Sequence, residues 1–286
     1  MSNSNLHGGV RLVGSFSGGR TSALMAKKMK DELRAPVFDL KFVFANTSWE
    51  DEDTLRFVHE VDQRFGLDLV WVEAVVHPGR KACTHKVVTY ETASRNGEIF
   101  EAVVKKYGLP NQSFLHCTRE LKLNPINSYL DSIGWGNATT AVGIRSDERR
   151  RVRKSAGESS IVYPLADWWP TDKQDVLDYF EPFDWDLQID EHDGNCRRCH
   201  KKSDAKLLRG WREDPSSFEF PIRLDNLYRD VGPNTVDGPR KQYRGHRSAS
   251  DLVAQFAEAG ADYRPPTHDG GCSESCEVYE TEELAA

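Results

Sequence analysis

The chain has 286 residues, of which 38% are hydrophobic and 29% charged, with a formal net charge of −7 and a mean hydropathy of −0.63. This length allows one large domain or two small ones, and the lack of a long apolar run argues against a bilayer-spanning helix and predicts no membrane partner. The first residues lack the basic and apolar regions of a secretory signal, so we expect a cytoplasmic protein whose six cysteines are metal ligands or reactive thiols rather than disulfides.

Strands and helices alternate along the first half of the sequence. Short apolar runs predict strands over residues 10–16, within 37–48, within 67–76 and within 138–144, and helical spacing predicts helices over about 21–33 and 51–65. Gly66 follows the second helix and is a suitable C-cap. The alternation predicts a three-layer α/β/α domain with a Rossmann-like parallel sheet and right-handed crossovers. Ligands of such sheets bind at the carboxyl ends of the strands.

The turn after the first strand has the composition of an anion site. It reads SGGRTS over residues 17–22, and its glycines allow a tight turn that brings backbone N–H groups close to a ligand. The following helix directs its free N–H groups and the positive end of its dipole to the same place. Further donors are the side chains of Ser17, Arg20, Thr21 and Ser22. The pattern predicts a phosphate cradle, and the alternative is an ordinary capped turn.

The sequence changes character after about Glu181. Before that point, residues 79–111 predict an excursion with a helix near 96–107, and residues 161–180 predict a strand, a proline-containing loop and a helix that begins at Thr171 or Asp172. Beyond it, cysteines, glycines and short helical pieces dominate, apart from a clear helix within 248–260. We therefore expect a domain of residues 1–185 and a cysteine-rich region of residues 186–286 with little hydrophobic core.

Basic residues are concentrated in two segments, although the whole chain is acidic. One segment runs from Arg145 to Lys154 and the other from Arg197 to Lys202. Each is either a solvated loop or a docking surface for phosphates, and the second alternative admits a nucleic-acid partner.

Several separated motifs resemble one family. The turn, in SFSGGRTSA (15–23), resembles the PP-loop of the adenine nucleotide α-hydrolase-like superfamily. The segments ANTSWEDEDTLRFV (45–58), GIRSDERRR (143–151) and YPLADWWPTDKQDVLDYF (163–180) resemble, in the same order, segments of phosphoadenosine phosphosulfate (PAPS) reductases. With CTRELK (117–122), NCRRC (195–199) and GCSESC (271–276), the chain resembles PAPS reductase-like proteins of phages and mobile elements. The resemblance implies the PP-loop fold over roughly Val10 to Phe180 and an adenine nucleotide ligand, ATP or PAPS.

The resemblance also implies roles for individual residues. The leaving phosphates are held by Ser17, Gly18, Gly19, Arg20, Thr21 and Ser22. The other nucleotide-binding positions are Asn46, Thr47 and Asp53. Arg145 binds the α-phosphate, and Asp53 or Glu148 holds Mg²⁺. The alternatives are a surface ion pair of Arg145 with Asp147 or Glu148 and an exposed helix position for Asp53.

The cysteines are the candidate metal ligands and nucleophiles. The spacing of CRRC is typical of metal sites, and a later pair completes a four-thiolate set for Zn²⁺ or a [4Fe–4S] cluster: Cys196, Cys199, Cys272 and Cys276. In the cluster alternative, three cysteines hold the iron and leave one iron open for sulfide. Cys117 lies beside Arg119 and Lys122, whose charges favour a thiolate. Cys117 is therefore a catalytic nucleophile assisted by Lys122, a cluster ligand, or a buried structural cysteine, whereas Cys83 has no assignment.

The resemblance implies a reaction class as well. Enzymes with this loop usually cleave ATP between its α- and β-phosphates and form an adenylated intermediate, so we expect ATP-dependent sulfur transfer to a nucleotide or nucleic acid. The sulfur donor and the oligomeric state stay open. A thiol-dependent PAPS reductase is the alternative within enzymes, although the C-terminal ECG motif of typical reductases is altered here to ESCEVYE. A metal-containing protein that binds nucleotide or nucleic acid without turnover is the alternative outside them.

Overall fold

The structure, a computed structural model, describes residues 9–152, 160–190, 192–194, 196–232, 238–260 and 263–264. A six-stranded sheet forms its centre, with the order β4-β3-β2-β1-β5-β6. The strands are β1 (Val10–Phe16), β2 (Phe38–Asn46), β3 (Val70–Val75), β4 (Thr84–Val88), β5 (Thr139–Val142) and β6 (Ile161–Val162). All neighbouring pairs are parallel except β3 and β4, which are antiparallel. The predicted α/β fold is confirmed, and β4 is an edge strand that the sequence analysis did not contain.

Helices connect most of the strands and make up much of the region after the sheet. They are α1 (Arg20–Glu32), α2 (Glu52–Phe65), α3 (Glu98–Tyr107), α4 (His116–Thr118), α5 (Asn124–Ser132), α6 (Pro164–Asp167), α7 (Lys173–Phe180), α8 (Asp204–Glu213), α9 (Glu219–Tyr228) and α10 (Ala249–Glu258). A π-helical turn (Arg119–Leu123) joins α4 to α5, and 3-10 turns cover Ser146–Arg151 and Pro215–Phe218. Within the described ranges, none of the helices combines the length and apolarity that a membrane crossing requires.

Alternating side chains of the strands face two different layers of helices. On β2, Phe42 and Phe44 pack in a cluster with α1, α2 and α7, whereas Val43 and Ala45 pack in a cluster with α5. This period of two follows from the pleat of a strand, which directs successive side chains to opposite faces. Since both faces of the central strands are apolar and covered by helices, the domain has three layers, as predicted.

Residues 116–132 form a continuous helical run that the sequence analysis did not predict. The π-helical turn widens the helix just before Pro125, a residue that has no N–H to donate and that crowds a regular preceding turn. Leu121 and Ile126 anchor the run in two apolar clusters. The run carries both Cys117 and Lys122, so its packing fixes two residues of the candidate site.

The helices after residue 200 have an apolar cluster of their own. Its buried members include Leu207 and Leu208 of α8, Phe218 of the 3-10 turn before α9, and Leu252 and Phe256 of α10. The expectation of little hydrophobic core in this region is therefore wrong. Sequence reasoning missed the cluster because its members are spread over about 50 residues of short helices with polar faces. The boundary near residue 185 stays a prediction.

Candidate functional site

Residues 17–22, the predicted phosphate loop, follow β1. The shape of this phosphate loop depends on Gly18. This residue has φ +90°, in the left-handed region, and a Cβ placed on it would come within 2.8 Å of Thr54 Cγ2 on α2. Gly19 has φ −104°, an extended conformation open to other residues. The requirement for glycine that we predicted for the loop therefore has its clearest structural basis at Gly18.

Hydrogen bonds of Ser22 close the loop. Its hydroxyl accepts the N–H of Ser17 at 3.2 Å, lies 3.0 Å from Ser17 Oγ and donates to the carbonyl of Gly19 at 2.9 Å. The first hydrogen bond of α1 runs from Ala23 N–H to Gly19 O at 3.1 Å, so the N–H groups of residues 20–22 precede the helical ladder. Ser22 thus shapes the turn, while those N–H groups keep the orientation that an anion at the helix N-terminus needs.

The side chain of Arg20, which we predicted to bind phosphate, forms an ion pair with a carboxylate of the protein. Its Nε and Nη2 lie 2.8 and 2.9 Å from the two carboxylate oxygens of Asp186, and Nη2 also donates to the carbonyl of Leu187 at 2.6 Å. Arg56 of α2 donates to the carbonyls of Trp185 and Asp186 at 3.4 and 3.1 Å. Two arginines therefore attach the segment after α7 to the phosphate loop and α2.

Arg145 lies beside the phosphate loop and is buried, with 6% of its side chain exposed. Its Nη1 is 3.5 Å from Thr21 Oγ1, and its Nε is 2.9 Å from Asp147 Oδ1. Glu148 Oε2 lies 3.5 Å from the same Nη1. Burial raises the pKa of Asp147, but the hydrogen bonds and the charge of Arg145, together with a backbone hydrogen bond and the charge of Lys173, outweigh burial and hold that pKa below its ordinary value. Arg145 thus lies near the loop, as predicted, and also forms the ion pair that was the alternative. In that pair the arginine side chain is buried and the Asp147 side chain is partly exposed.

The two candidate Mg²⁺ ligands have different surroundings. Asp53 is on the first turn of α2 with 44% of its side chain exposed, next to the N-cap Asp51, and its carboxylate accepts a bond from Arg56 at 3.3 Å. Glu148 is mostly buried and pairs with Arg145 and Arg151. Asp53 therefore lies at a position open to a solvated ion, and the Mg²⁺ assignment stays a prediction.

Asn46 is fully buried and organises the end of β2. Its amide donates to Glu73 Oε1 at 2.6 Å and to the carbonyl of Ser94 at 2.8 Å, and its oxygen accepts the N–H of Ser48 at 3.1 Å. Glu73 is itself fully buried and pairs with Lys86 at 2.8 Å. Asn46 therefore fixes the turn that we assigned to nucleotide binding. A glutamate within the apolar strand VWVEAV was the sequence signal for this network, which we missed.

The turn after β2 is joined to the CRRC segment. Thr47 Oγ1 lies 3.3 Å from Cys196 Sγ, and the Cys196 thiol donates to Glu50 Oε1 at 3.4 Å. Arg197 N–H donates to the carbonyl of Trp49 at 3.0 Å, while Trp49 Nε1 donates to the carbonyl of Arg197 at 2.9 Å. These reciprocal bonds bring two predicted motifs, 149 residues apart in sequence, into contact.

Three cysteines line one cavity at this junction. Cys196 and Cys199 come from the CRRC segment, and Cys117 comes from the helical run of residues 116–132. Thr47 and Lys122 line the same cavity, together with an apolar wall that includes Phe220. Cys83 is elsewhere, and burial raises the pKa of its thiol to about 11, which makes it unreactive at neutral pH. Cys272 and Cys276 lie outside the described residues, so their part in a four-thiolate site stays a prediction.

The residues of this cavity fit a sulfur-ligated group. Thiolates are the ligands of structural Zn²⁺ and of iron–sulfur clusters, and a pair separated by two residues is common to both. Lys122 lines the cavity as a buried cation, and cationic neighbours favour ionised thiols. Cys117, Cys196 and Cys199 share this cavity, and their role as ligands of such a group stays a prediction.

His116 precedes Cys117 and is buried between two arginines. Its Nδ1 lies 3.3 Å from Arg119 Nη2 and its Nε2 lies 3.4 Å from Arg240 Nη1. Burial, followed by the charges of these arginines, lowers the pKa of His116 to about 4. The imidazole is therefore neutral at physiological pH, so one of its two nitrogens accepts a hydrogen bond from an arginine, and this contact helps to fix the start of the helical run.

The two basic segments are largely engaged within the protein. In the first, Arg145, Arg149 and Arg151 form ion pairs with acidic side chains, and Arg153 and Lys154 lie outside the described residues. In the second, Arg198, His200 and Lys202 are buried. A continuous solvent-facing phosphate surface, as the sequence suggested, is therefore not formed by the described residues of the second segment.

Comparison with known proteins assigns the chain to one family. The model of the phosphoadenosine phosphosulfate reductase domain matches residues 11–182, and the chain belongs to this family. Among individual proteins, it is similar to an uncharacterized nin region protein of Escherichia phage lambda, at 34% identity over 290 residues that cover 93% of this chain and 94% of that protein.

Two solved structures are also similar to this chain. One is the phosphate complex of a phosphoadenylyl-sulfate reductase from Candida auris, with 17% identity, a TM-score of 0.36 and coverage of 60% of this chain and 71% of that chain. The other is the U34-tRNA thiolase NcsA from Methanococcus maripaludis with its [4Fe–4S] cluster, with 13% identity, a TM-score of 0.42 and coverage of 82% and 78%.

Proposed function

We propose that the protein is an ATP-dependent PP-loop enzyme that adenylates a nucleotide or nucleic-acid acceptor and then transfers sulfur to it. The observation that carries this proposal is the cavity lined by Cys117, Cys196 and Cys199. The cavity adjoins Thr47, which directly follows β2, and the phosphate loop directly follows the adjacent parallel strand β1. The proposed site for phosphates and the proposed site for sulfur would therefore lie at the same edge of the sheet, as a two-step reaction requires.

In the first step, an oxygen of the acceptor attacks the α-phosphorus of ATP. A new P–O bond forms, the bond between the α-phosphorus and the bridging oxygen breaks, and pyrophosphate leaves. The N–H groups of residues 20–22 and the buried guanidinium of Arg145 are placed to stabilise the charge on the phosphoryl oxygens. Thr21 Oγ1, which lies beside Arg145, would help to orient the phosphoryl group.

In the second step, sulfur at the oxidation level of hydrosulfide replaces the adenylated oxygen. A C–S bond forms, the C–O bond breaks, and AMP leaves with the oxygen, so no external reductant is needed. A zinc ion or iron–sulfur cluster on the cavity cysteines would bind and activate the sulfide. Lys122 adds a positive charge to the cavity that favours an anionic sulfur species.

A PAPS reductase is the second candidate, and membership of the PAPS reductase domain family favours it. There a cysteine thiolate of the cavity would attack the sulfonate sulfur of PAPS, break the S–O bond and release adenosine 3′,5′-bisphosphate. A second thiol would then release sulfite and leave a disulfide, which a dithiol reductant restores. This route needs no pyrophosphate release, which separates it from the first proposal.

The two reactions are distinguished by their products. The protein, purified without oxygen, would be incubated with ATP, labelled pyrophosphate and pools of tRNA, DNA and free nucleotides. Acceptor-dependent exchange of label into ATP supports adenylation. Sulfite release from PAPS with a dithiol, without exchange, supports the reductase and overturns the first proposal. The absence of both activities with tight nucleotide binding would support a protein that binds without turnover. Iron, zinc and acid-labile sulfide analysis identifies the metal.

A further inference from the structure

His192 follows the segment bound by Arg20 and precedes the CRRC segment in the sequence, and its two ring nitrogens have different surroundings. His192 is 3% exposed and packs against α8. Its Nε2 lies 2.5 Å from Glu213 Oε2 and 3.3 Å from Asp193 Oδ2. Because carboxylates only accept hydrogen bonds, these contacts assign a proton to Nε2. In the neutral imidazole, Nδ1 then carries the lone pair.

Among the residues that the structure describes, the surroundings of Nδ1 lack a donor that would satisfy this lone pair. The atom is buried and has no hydrogen-bond partner in this part of the chain. The atom facing it is Asp190 Oδ2, at 3.9 Å, which is too far for a hydrogen bond and is itself an acceptor. A buried acceptor opposite a carboxylate oxygen is unfavourable unless a proton or a metal cation lies between them.

We propose that Asp190 and His192 bind a divalent cation between Oδ2 and Nδ1, with Glu213 orienting the imidazole from the opposite side. Ligand atoms of Asp190, His192 and Glu213 all lie within 4.8 Å of one another. A histidine that ligates a metal usually donates its other N–H to a carboxylate, as His192 does to Glu213. The mixed nitrogen and oxygen ligands suit Mn²⁺, Zn²⁺ or a related first-row ion.

Arg209 is the competitor for this position. Its Nη2 lies 2.7 Å from Asp190 Oδ2 and its Nε lies 3.0 Å from Glu213 Oε1. The Arg209 and Asp190 side chains are both 60% exposed, and an ion pair this exposed contributes little stability. A divalent ion can therefore displace the guanidinium into solvent. The bound ion would tie Asp190 and His192 to α8, and His192 precedes Cys196 of the CRRC segment by four residues.

The test uses the full-length protein without nucleotide and Mn²⁺ as the probe. Mn²⁺ prefers oxygen and nitrogen ligands to thiolates, so the cysteine cavity competes weakly. The EPR signal of free Mn²⁺ measures binding. Asp190→Asn should weaken the affinity at least about tenfold, as the loss of a ligand does in metal sites. Arg209→Gln should strengthen it. Asp230→Asn removes a carboxylate that lies just after α9 and is 75% exposed, and it should leave the Mn²⁺ affinity unchanged.

Each outcome decides the proposal. Equal Mn²⁺ affinity of the unchanged protein, Asp190→Asn and His192→Gln would overturn it, because other acidic groups would then account for all binding. No binding in either the unchanged protein or Arg209→Gln would overturn it as well. In both cases the gap between Nδ1 and Asp190 would belong to a second proton on His192. Asp190 and Arg209 are exposed, so their variants keep the test valid even if His192→Gln unfolds.

Discussion

Replacing Gly18 by alanine should both destabilise the protein and weaken nucleotide binding. Gly18 has φ +90°, which an L-residue with a Cβ adopts at a cost, and the new Cβ would lie 2.8 Å from Thr54 Cγ2. Thr54 is on α2 and is 1% exposed, so its methyl group has little room to move. The backbone of the loop would therefore shift, and the N–H groups that we propose as phosphate ligands would shift with it.

The magnitude follows from two separate terms. The left-handed backbone conformation costs a non-glycine residue about 1–2 kcal/mol. Forcing an extra methyl group into a packed contact costs about 1–3 kcal/mol more. We therefore expect Gly18→Ala to lower the free energy of unfolding by roughly 2–5 kcal/mol, a large part of the stability of a typical domain.

A second substitution separates these terms. Thr54→Ser removes the methyl group that the new Cβ would meet, at a cost of about 0.5–1.5 kcal/mol by itself. In the double variant the steric term should disappear while the backbone term remains, so the two changes should couple favourably by about 1–3 kcal/mol. Gly79→Ala is the matched control, because a Cβ there meets no atom within 4 Å.

Urea unfolding measures the stability of these variants, and calorimetric titration with a non-hydrolysable ATP analogue measures binding. Gly18→Ala with the stability of Gly79→Ala would refute the steric and backbone reasoning. Additive effects of Gly18→Ala and Thr54→Ser would refute the contact between them. A destabilised variant with unchanged nucleotide affinity would remove the loop from the nucleotide site.

Three further predictions concern the reaction and its pH dependence. Arg145→Ala should reduce acceptor-dependent pyrophosphate exchange by about two orders of magnitude, as the loss of a charge-stabilising donor does, whereas Arg150→Ala, an exposed change in the same 3-10 turn, should not. Cys117→Ala should stop sulfur incorporation and spare pyrophosphate exchange, while Cys83→Ala, outside the cavity, should affect only stability; loss of both half-reactions in Cys117→Ala would make that cysteine structural. Burial and two arginines lower the pKa of His116 from 6.5 to about 4 in the folded state. As the pH falls, the unfolded state therefore binds a proton first. The contribution of His116 to stability should be full above pH 6.5 and should be lost as the pH drops from 6.5 to 4. His116→Gln should flatten the urea-unfolding profile in this window, and an unchanged profile would contradict the assignment.

Local patterns were sufficient to predict the elements that local physics determines. Strand β1 was predicted at its observed bounds, and Gly66 caps α2 in the left-handed conformation, with φ +60°, that its sequence position indicated. In contrast, β4 is a short, half-exposed edge strand whose pairing with β3 gives it no strong alternation of its own. The helical run of residues 116–132 contains Pro125, which argued against a helix until the π-helical turn was known.

The candidate site was predictable in its parts but not in their arrangement. The glycine-rich turn and the CRRC spacing are local signals. The turn lies at the carboxyl end of β1, and the CRRC segment contacts the turn after β2. The contacts of Arg20 with Asp186 and of Thr47 with Cys196 span 166 and 149 residues, which no local periodicity encodes. Cys117 joins Cys196 and Cys199 only because the helical run brings it there, so its position could not follow from spacing.

The segment from Trp185 to Cys199 connects the two halves of the candidate site mechanically. At its start, Arg20 of the phosphate loop and Arg56 of α2 hold it through Asp186. At its end, two hydrogen bonds between Trp49 and Arg197, one between their backbones and one from the Trp49 indole, hold it against the turn after β2. A bidentate arginine–carboxylate pair has a narrow range of geometry, so a displacement of the phosphate loop has to move this segment or break the pair. Since the same segment ends in the cysteines of the cavity, the position of the loop and the position of those thiols are linked through covalent chain rather than through side-chain packing alone.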